Sequence, residues 1–97
     1  MFDIEFADKK LDRLETDGGY SAGYSQAIVK SFRKVMQVLR AANDERDLYA
    51  LRKLRYEKLK GNRSHQKSIR LNDQWRLILE IKQKDIIKII NENGGKE

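Results

Sequence analysis

The sequence predicts an α+β domain with elements in the order β-α-α-β-β-β, a mostly antiparallel sheet with its N-terminal helices packed on one face. Three observations carry that reading. Ile28, Phe32, Val35, Met36, Leu39 and Ala42 recur at spacings of three and four, a helical stripe wide enough to cover a sheet. Apolar residues then alternate with polar ones at Ile69 and Leu71, and share one face again at Trp75, Leu77, Leu79 and Ile81, which is strand periodicity. Finally, 97 residues leave no room for a second core, so residues 1–97 read as one domain.

Each element has a local cause. Phe2, Ile4 and Phe6 alternate with Asp3 and Glu5, as in a short half-buried strand. Asp8 caps a helix from about Lys9 to Glu15 with Leu11 and Leu14 inward, and Asp17-Gly18-Gly19 ends it. Ser21 and Ser25 are both candidate caps for the main helix, about Ser25–Ala42, whose outer side carries Lys30, Arg33, Lys34 and Arg40 into solvent. Asn43 is expected to cap a short helix, Asp44–Leu51, whose acidic first turn suits the positive helix end. Tyr56–Leu59 reads as a short strand entering a loop at Lys60-Gly61-Asn62-Arg63, where Gly and Asn supply turn conformations. Strands follow at about Gln66–Leu71, Trp75–Ile81 and Ile86–Asn91, the last two joined by a turn at Lys82-Gln83-Lys84-Asp85. The polar tail 92–97 is expected to be loose.

The hairpin register follows from burial. A two-residue loop at Asn72-Asp73 would pair Ile69 with Arg76 and mix apolar with charged residues on each face. A three-residue loop pairs Leu71 with Trp75 and Ile69 with Leu77, giving one wholly apolar face, and this arrangement should win. It sets Arg70 directly across from Arg76 on the other face, where like charges repel. An anion held between the two guanidinium groups reverses that sign, and arginine's planar fork suits phosphate. The plain alternative is that Glu57 or Glu80 neutralises one of the pair.

Charge is concentrated in the same region. Between Arg52 and Arg76 nine bases stand against Glu57 and Asp73, a net +7, while the whole chain carries +6. A local field of that sign points to a polyanion, most often nucleic acid, with a solvated lysine-rich surface as the bland alternative.

Other chemistries find little support. There is no cysteine, which excludes disulfides, thiolate zinc sites and cysteine nucleophiles. The single histidine, His65, has no cluster of carboxylates around it, so neither a metal nor another cofactor is expected; it reads as a loop surface residue or an RNA contact. No phosphate-binding loop, dinucleotide fingerprint or Ser-His-Asp arrangement is present. Met1 to Glu5 shows no signal-peptide character, and no apolar stretch approaches the roughly 20 residues that cross a bilayer, so a cytoplasmic protein without a membrane partner is expected. Tyr49 and Trp75 read as core or hinge packing, able to stack a base only if exposed.

The run Leu59-Lys60-Gly61-Asn62-Arg63, followed by Ser68-Ile69-Arg70-Leu71-Asn72-Asp73-Gln74-Trp75-Arg76, resembles the central signature of the HigB toxins, the plasmid-maintenance killer group of the RelE/ParE superfamily. The run Asp44 to Leu51 and the order of elements are similar too, so the likeness covers about residues 2–90. It implies the toxin of a type II toxin–antitoxin system, a ribosome-dependent mRNA endonuclease neutralised by a HigA-type helix-turn-helix antitoxin. Operator DNA would be reached only through that antitoxin. Cleavage in the family needs no metal: the RNA's 2′-hydroxyl attacks the adjacent phosphate and leaves a 2′,3′-cyclic phosphate.

Carried over by position, Lys60 matches the family's loop lysine, for charge stabilisation or proton handling, and Arg76 the arginine that grips the scissile phosphate. Arg63 and Arg70 match neighbouring basic positions, and Glu57 falls where some members place a histidine. Glu92 stands for the acidic residue near the end of the last strand, but the tyrosine and histidine that commonly follow it are replaced by Asn93-Gly94, and His65 does not occupy their place. The candidate catalytic set is thus Lys60, Arg63, Arg76 and Glu92, with Lys58, His65, Lys67 and Arg70 as candidate RNA-binding residues. That departure leaves two alternatives open: a weakened or non-catalytic RNA-binding member of the fold, or a topoisomerase inhibitor like the ParE-type relatives.

Overall fold

Alternation, helical stripes and caps generate eight elements in a computed structural model that describes residues 2–83 and 86–93, with the backbone alone at 91–93. In chain order they are β1 (Asp3–Phe6), α1 (Lys9–Thr16), α2 (Gln26–Ala41), α3 (Glu45–Ala50), β2 (Glu57–Lys58), β3 (Lys67–Arg70), β4 (Arg76–Lys82) and β5 (Ile86–Asn93). Single 3-10 turns at Arg52–Leu54 and Gly61–Arg63 flank β2. The strands form one sheet in the order β1-β5-β4-β3-β2, with β1 parallel to β5 and every other pair antiparallel.

The caps explain where the helices start. The Asp8 carboxylate accepts from the Lys10 N–H at 2.9 Å and begins α1. Of the two serines available to α2, Ser25 is the cap, its hydroxyl accepting from the Ile28 N–H at 3.3 Å. Asp44, not Asn43, caps α3, because its carboxylate accepts from the Arg46 N–H at 2.9 Å. The α2 stripe, joined by Val29, faces the sheet as its spacing requires. Leu11, Leu14, Phe32, Met36, Leu39 and Leu48 meet Ile69, Leu77, Leu79, Ile87 and Ile89, all essentially inaccessible to solvent.

Two expected surface arginines instead tie helices together. Arg33 donates to three backbone carbonyls, Leu14 at 3.0 Å, Asp17 at 3.0 Å and Tyr20 at 3.1 Å. These oxygens lie in the last turn of α1 and in the segment that follows it. Arg40 grips both Glu15 carboxylate oxygens, at 2.5 and 2.7 Å. Glu92 and Asn93, expected in a loose tail, pair with β4 as part of β5; the remaining positions 94–97 lie outside the described residues.

The α3 end is pinned to β3 by one carboxylate. Glu45 accepts from the Tyr56 hydroxyl at 2.7 Å and from the Lys67 ammonium at 2.6 Å. Burial opposes its ionisation, but the Lys67 and Tyr56 hydrogen bonds prevail and hold its carboxyl below the ordinary glutamate range. Burial first, then Glu45, pushes the Tyr56 phenol well above its usual range.

The packing and this triad each predict a stability effect. Leu39 is fully buried, so Leu39→Ala should cost about 2–5 kcal/mol in denaturant titration. The folded-state pKa of Glu45 is the lower one, so its stabilisation is complete above the ordinary glutamate range and is lost as pH falls through the folded value. Acid titrations should therefore show a shallower loss of stability for Glu45→Gln than for the wild type.

Candidate functional site

The β3–β4 hairpin has the register that burial demands. Ile69 pairs with Leu77 and Arg70 with Arg76, and the Leu71 N–H donates to the Trp75 carbonyl at 2.8 Å. Asn72 shapes the turn, its side-chain oxygen accepting from the N–H groups of Gln74 and Trp75, both at 2.8 Å. With the apolar face against the helices, the opposite face of the hairpin presents Ser68, Arg70 and Arg76.

The two arginines do not share one anion cradle. Arg70 forms an ion pair with the exposed Asp73 of the hairpin turn. Arg76 turns toward β2: one of its terminal nitrogens donates to the Ser68 hydroxyl at 3.3 Å and lies 3.7 Å from a Glu57 carboxylate oxygen. The expected cradle is thus displaced by one strand. Mutual repulsion opposes a shared position, and each guanidinium has a nearer carboxylate.

What the fold builds is a cavity of about 360 Å³ lined by Glu57, Lys58, Leu59, Lys60, Arg63, Ser68 and Arg76. Glu57 pairs with Ser68 across β2 and β3, and Arg76 reaches them from β4, so three strands contribute to the lining. Lys60 and Arg63 arrive on the 3-10 turn that follows β2. Gly61 starts that turn at φ 68°, a left-handed conformation that strains other residues. Arg63 donates to Gln66 at 3.2 Å, Gln66 donates to Glu80 at 3.3 Å, and His65 lies 3.8 Å from the same carboxylate.

Of the residues singled out in the sequence, Lys58, Lys60, Arg63 and Arg76 line this cavity, whereas Arg70, His65 and Lys67 do not. Arg70 sits with Asp73, and His65 is exposed beside Glu80. Lys67 has the buried Leu79 as its register partner and is held by Glu45, on the helix-covered side. The β4–β5 register shifts by one residue between Ile78 and Leu79, so Leu77 pairs with Glu92 and Arg76 with Asn93. The Glu92 side chain lies outside the described residues. Three lining residues, Glu57, Leu59 and Ser68, were not in the candidate sets. Ser68 was legible from strand alternation, and Glu57 from being the one acid between Arg52 and Asn72.

Chemically, Arg76 lies beside the Glu57 carboxylate and the Ser68 hydroxyl, with Lys60 and Arg63 lining the same cavity and Lys58 on its rim, a setting for an oxyanion with an acid–base group beside it. A larger depression of about 730 Å³ along Gln26, Lys30, Lys34 and Gln37 of α2 has no such convergence, and its Arg33 is engaged by carbonyls. Among the described residues no group of three or more His, Cys, Asp or Glu could hold a metal, and no helix is long and apolar enough to cross a membrane.

Comparison with known proteins adds a family likeness. The model for HigB-like toxins, described as RelE-like toxins of the type II toxin–antitoxin system HigB, matches residues 4–92. Toxin HigB-1 of Vibrio cholerae serotype O1 is 34% identical over 77 residues, which is 79% of this chain and 81% of that protein. YafQ from E. coli strain BL21(DE3) has the same fold, with a TM-score of 0.63 at 12% identity over 97% of this chain and 93% of its own. The YoeB–YefM complex from Staphylococcus aureus gives 0.63 at 19% identity, over 96% of this chain and 95% of the matched one.

The cavity's charge makes a prediction independent of any substrate. Inorganic phosphate should raise the melting temperature of the wild type, and Arg76→Ala should remove most of that rise. Glu57→Gln, which deletes the one negative group, should tighten phosphate binding about 2- to 5-fold.

Proposed function

The chain belongs to the HigB-like family of RelE-like toxins of type II toxin–antitoxin systems, and from that premise we propose that it is a ribosome-dependent mRNA endonuclease acting without a metal. The observation that carries this reading is the cavity lined by Lys58, Lys60, Arg63 and Arg76 together with Glu57, which Arg76 approaches. The RNA's 2′-hydroxyl attacks the adjacent phosphorus, the bond to the 5′-oxygen breaks, and a 2′,3′-cyclic phosphate and a free 5′-hydroxyl remain. Arg76, with a terminal nitrogen 3.7 Å from Glu57, binds the scissile phosphate and stabilises the charge that builds on its outer oxygens. Glu57 takes the proton from the 2′-hydroxyl, and the Lys60 ammonium gives one to the departing 5′-oxygen. Arg63 and Lys58 hold the flanking backbone, while Ser68 keeps Arg76 in place.

The partner follows from the same membership. The matched S. aureus structure is a complex of YoeB with YefM, which supports a dedicated antitoxin for this chain. We assign it the helix-turn-helix type of HigA, with operator DNA contacted through the antitoxin. The second reading is an RNA-binding member of the fold that does not cut. Asn93-Gly94, where family members commonly carry tyrosine and histidine, favours it.

Cleavage on programmed ribosomes separates the two. The wild type should yield mRNA fragments ending in 2′,3′-cyclic phosphate. Arg76→Ala should slow cleavage about 100- to 1,000-fold, and Glu57→Gln about 100- to 10,000-fold without weakening phosphate binding. Intact message with the wild type overturns the nuclease reading, and an undiminished rate in Glu57→Gln overturns its role as base.

A further inference from the structure

We propose that Tyr49 and Leu51, with Arg52, Lys53 and Arg55, form a second nucleic-acid subsite: a stacking platform for an unpaired RNA base at the open edge of the sheet. The proposal rests on the RNA reading and extends it to a surface the cavity does not include. Tyr49 is 54% and Leu51 47% exposed, the large apolar side chains that remain in solvent among the described residues. Tyr49 was expected in the core or a hinge, and the structure leaves it outside.

Its ring is nonetheless ordered. Tyr49 meets Tyr56 edge-to-face, with centroids 4.8 Å apart and planes at 75°. Tyr56 is itself fixed through its hydroxyl to Glu45, which Lys67 also holds. A base that stacks on Tyr49 therefore meets an aromatic ring already immobilised, at small entropic cost.

The surroundings carry the complementary charge. Arg52, Lys53 and Arg55 are exposed, and none of them pairs with a carboxylate among the described residues. Arg55 adopts φ 47°, ψ 51°, a left-handed conformation that glycine or asparagine would take at lower cost. The field continues through Lys58 and Lys60 into the cavity. Tyr56 and Glu57 are consecutive, so strand alternation sets the platform and the cavity on opposite sides of β2, a two-residue edge strand that a nucleic-acid strand can pass around. A protein partner fits less well, because the centre of a protein interface is depleted of charge, whereas here three bases border two apolar side chains.

The test is fluorescence anisotropy with the full chain and a labelled single-stranded 2′-O-methyl RNA, which cannot be cut. Tyr49→Ala should weaken binding about 10-fold, while Tyr49→Phe and Tyr49→Trp stay within about 2-fold of the wild type. Tyr49→Leu keeps apolar contact with Tyr56 but cannot stack, so it should melt like the wild type yet bind like Tyr49→Ala. A 2-aminopurine in the RNA should be quenched by the wild type and by Arg76→Ala, but not by Tyr49→Leu. Unchanged affinity in Tyr49→Ala and Tyr49→Leu overturns the platform alone, and is the result a protein-docking surface would give. If the wild type binds no RNA, the platform falls, while cleavage on programmed ribosomes still decides the nuclease reading.

Discussion

Burial of Ile69 and Leu77 between the sheet and its helices is the constraint on which the functional face depends. Side chains alternate along a strand, so holding those two inward commits Ser68 and Arg76 to the opposite face. A slip of one residue would drive Arg76 and Ser68 into the core, where unpaired polar and charged groups cost far more than any turn preference. The apolar side therefore sets the geometry of the polar side without contributing an atom to it. Arg76 comes to lie beside the Ser68 hydroxyl and within 3.7 Å of Glu57 because Leu77 is buried next to it.

Electrostatics then divides the basic stretch among separate tasks. Asp73 draws Arg70 onto the hairpin turn and Glu45 holds Lys67 on the helix side, so two cations leave the functional face. Lys58, Lys60, Arg63 and Arg76 line the cavity with a single acid, Glu57, so the lining keeps a net positive charge. The chain's single histidine stands apart from these groups, beside Glu80. The same Glu45 contact immobilises Tyr56 and, through it, Tyr49. One structural triad thus supports both the fold and the outer surface.

Much of this was legible in the residues themselves. The α2 stripe, the Asp8 cap, the three-residue hairpin turn and the opposition of Arg70 to Arg76 each follow from local spacing and are present, while the structure chose Ser25 over Ser21 as the cap of α2. The Lys-Gly-Asn-Arg loop and Arg76 also identified most of the cavity's cations. Less visible were Arg33 and Arg40, which look like solvent-facing residues on a helical wheel but are drawn to the carbonyls and carboxylate of α1 and the residues after it, 13 to 25 positions away.

Periodicity determined which residues are buried and which strand faces they share, because the hydrophobic effect acts on patterns only a few residues long. Arg70 pairs with Asp73 only three positions along the chain. Tertiary structure, by contrast, decided which carboxylates Lys67 and Arg76 meet, because Glu45 and Glu57 are brought in from other elements. It also decided the one-residue shift in β5 that pairs Asn93, and not Glu92, with Arg76. Sequence alternation carries no mark of such a shift, which exists only in the hydrogen bonding of two strands to each other.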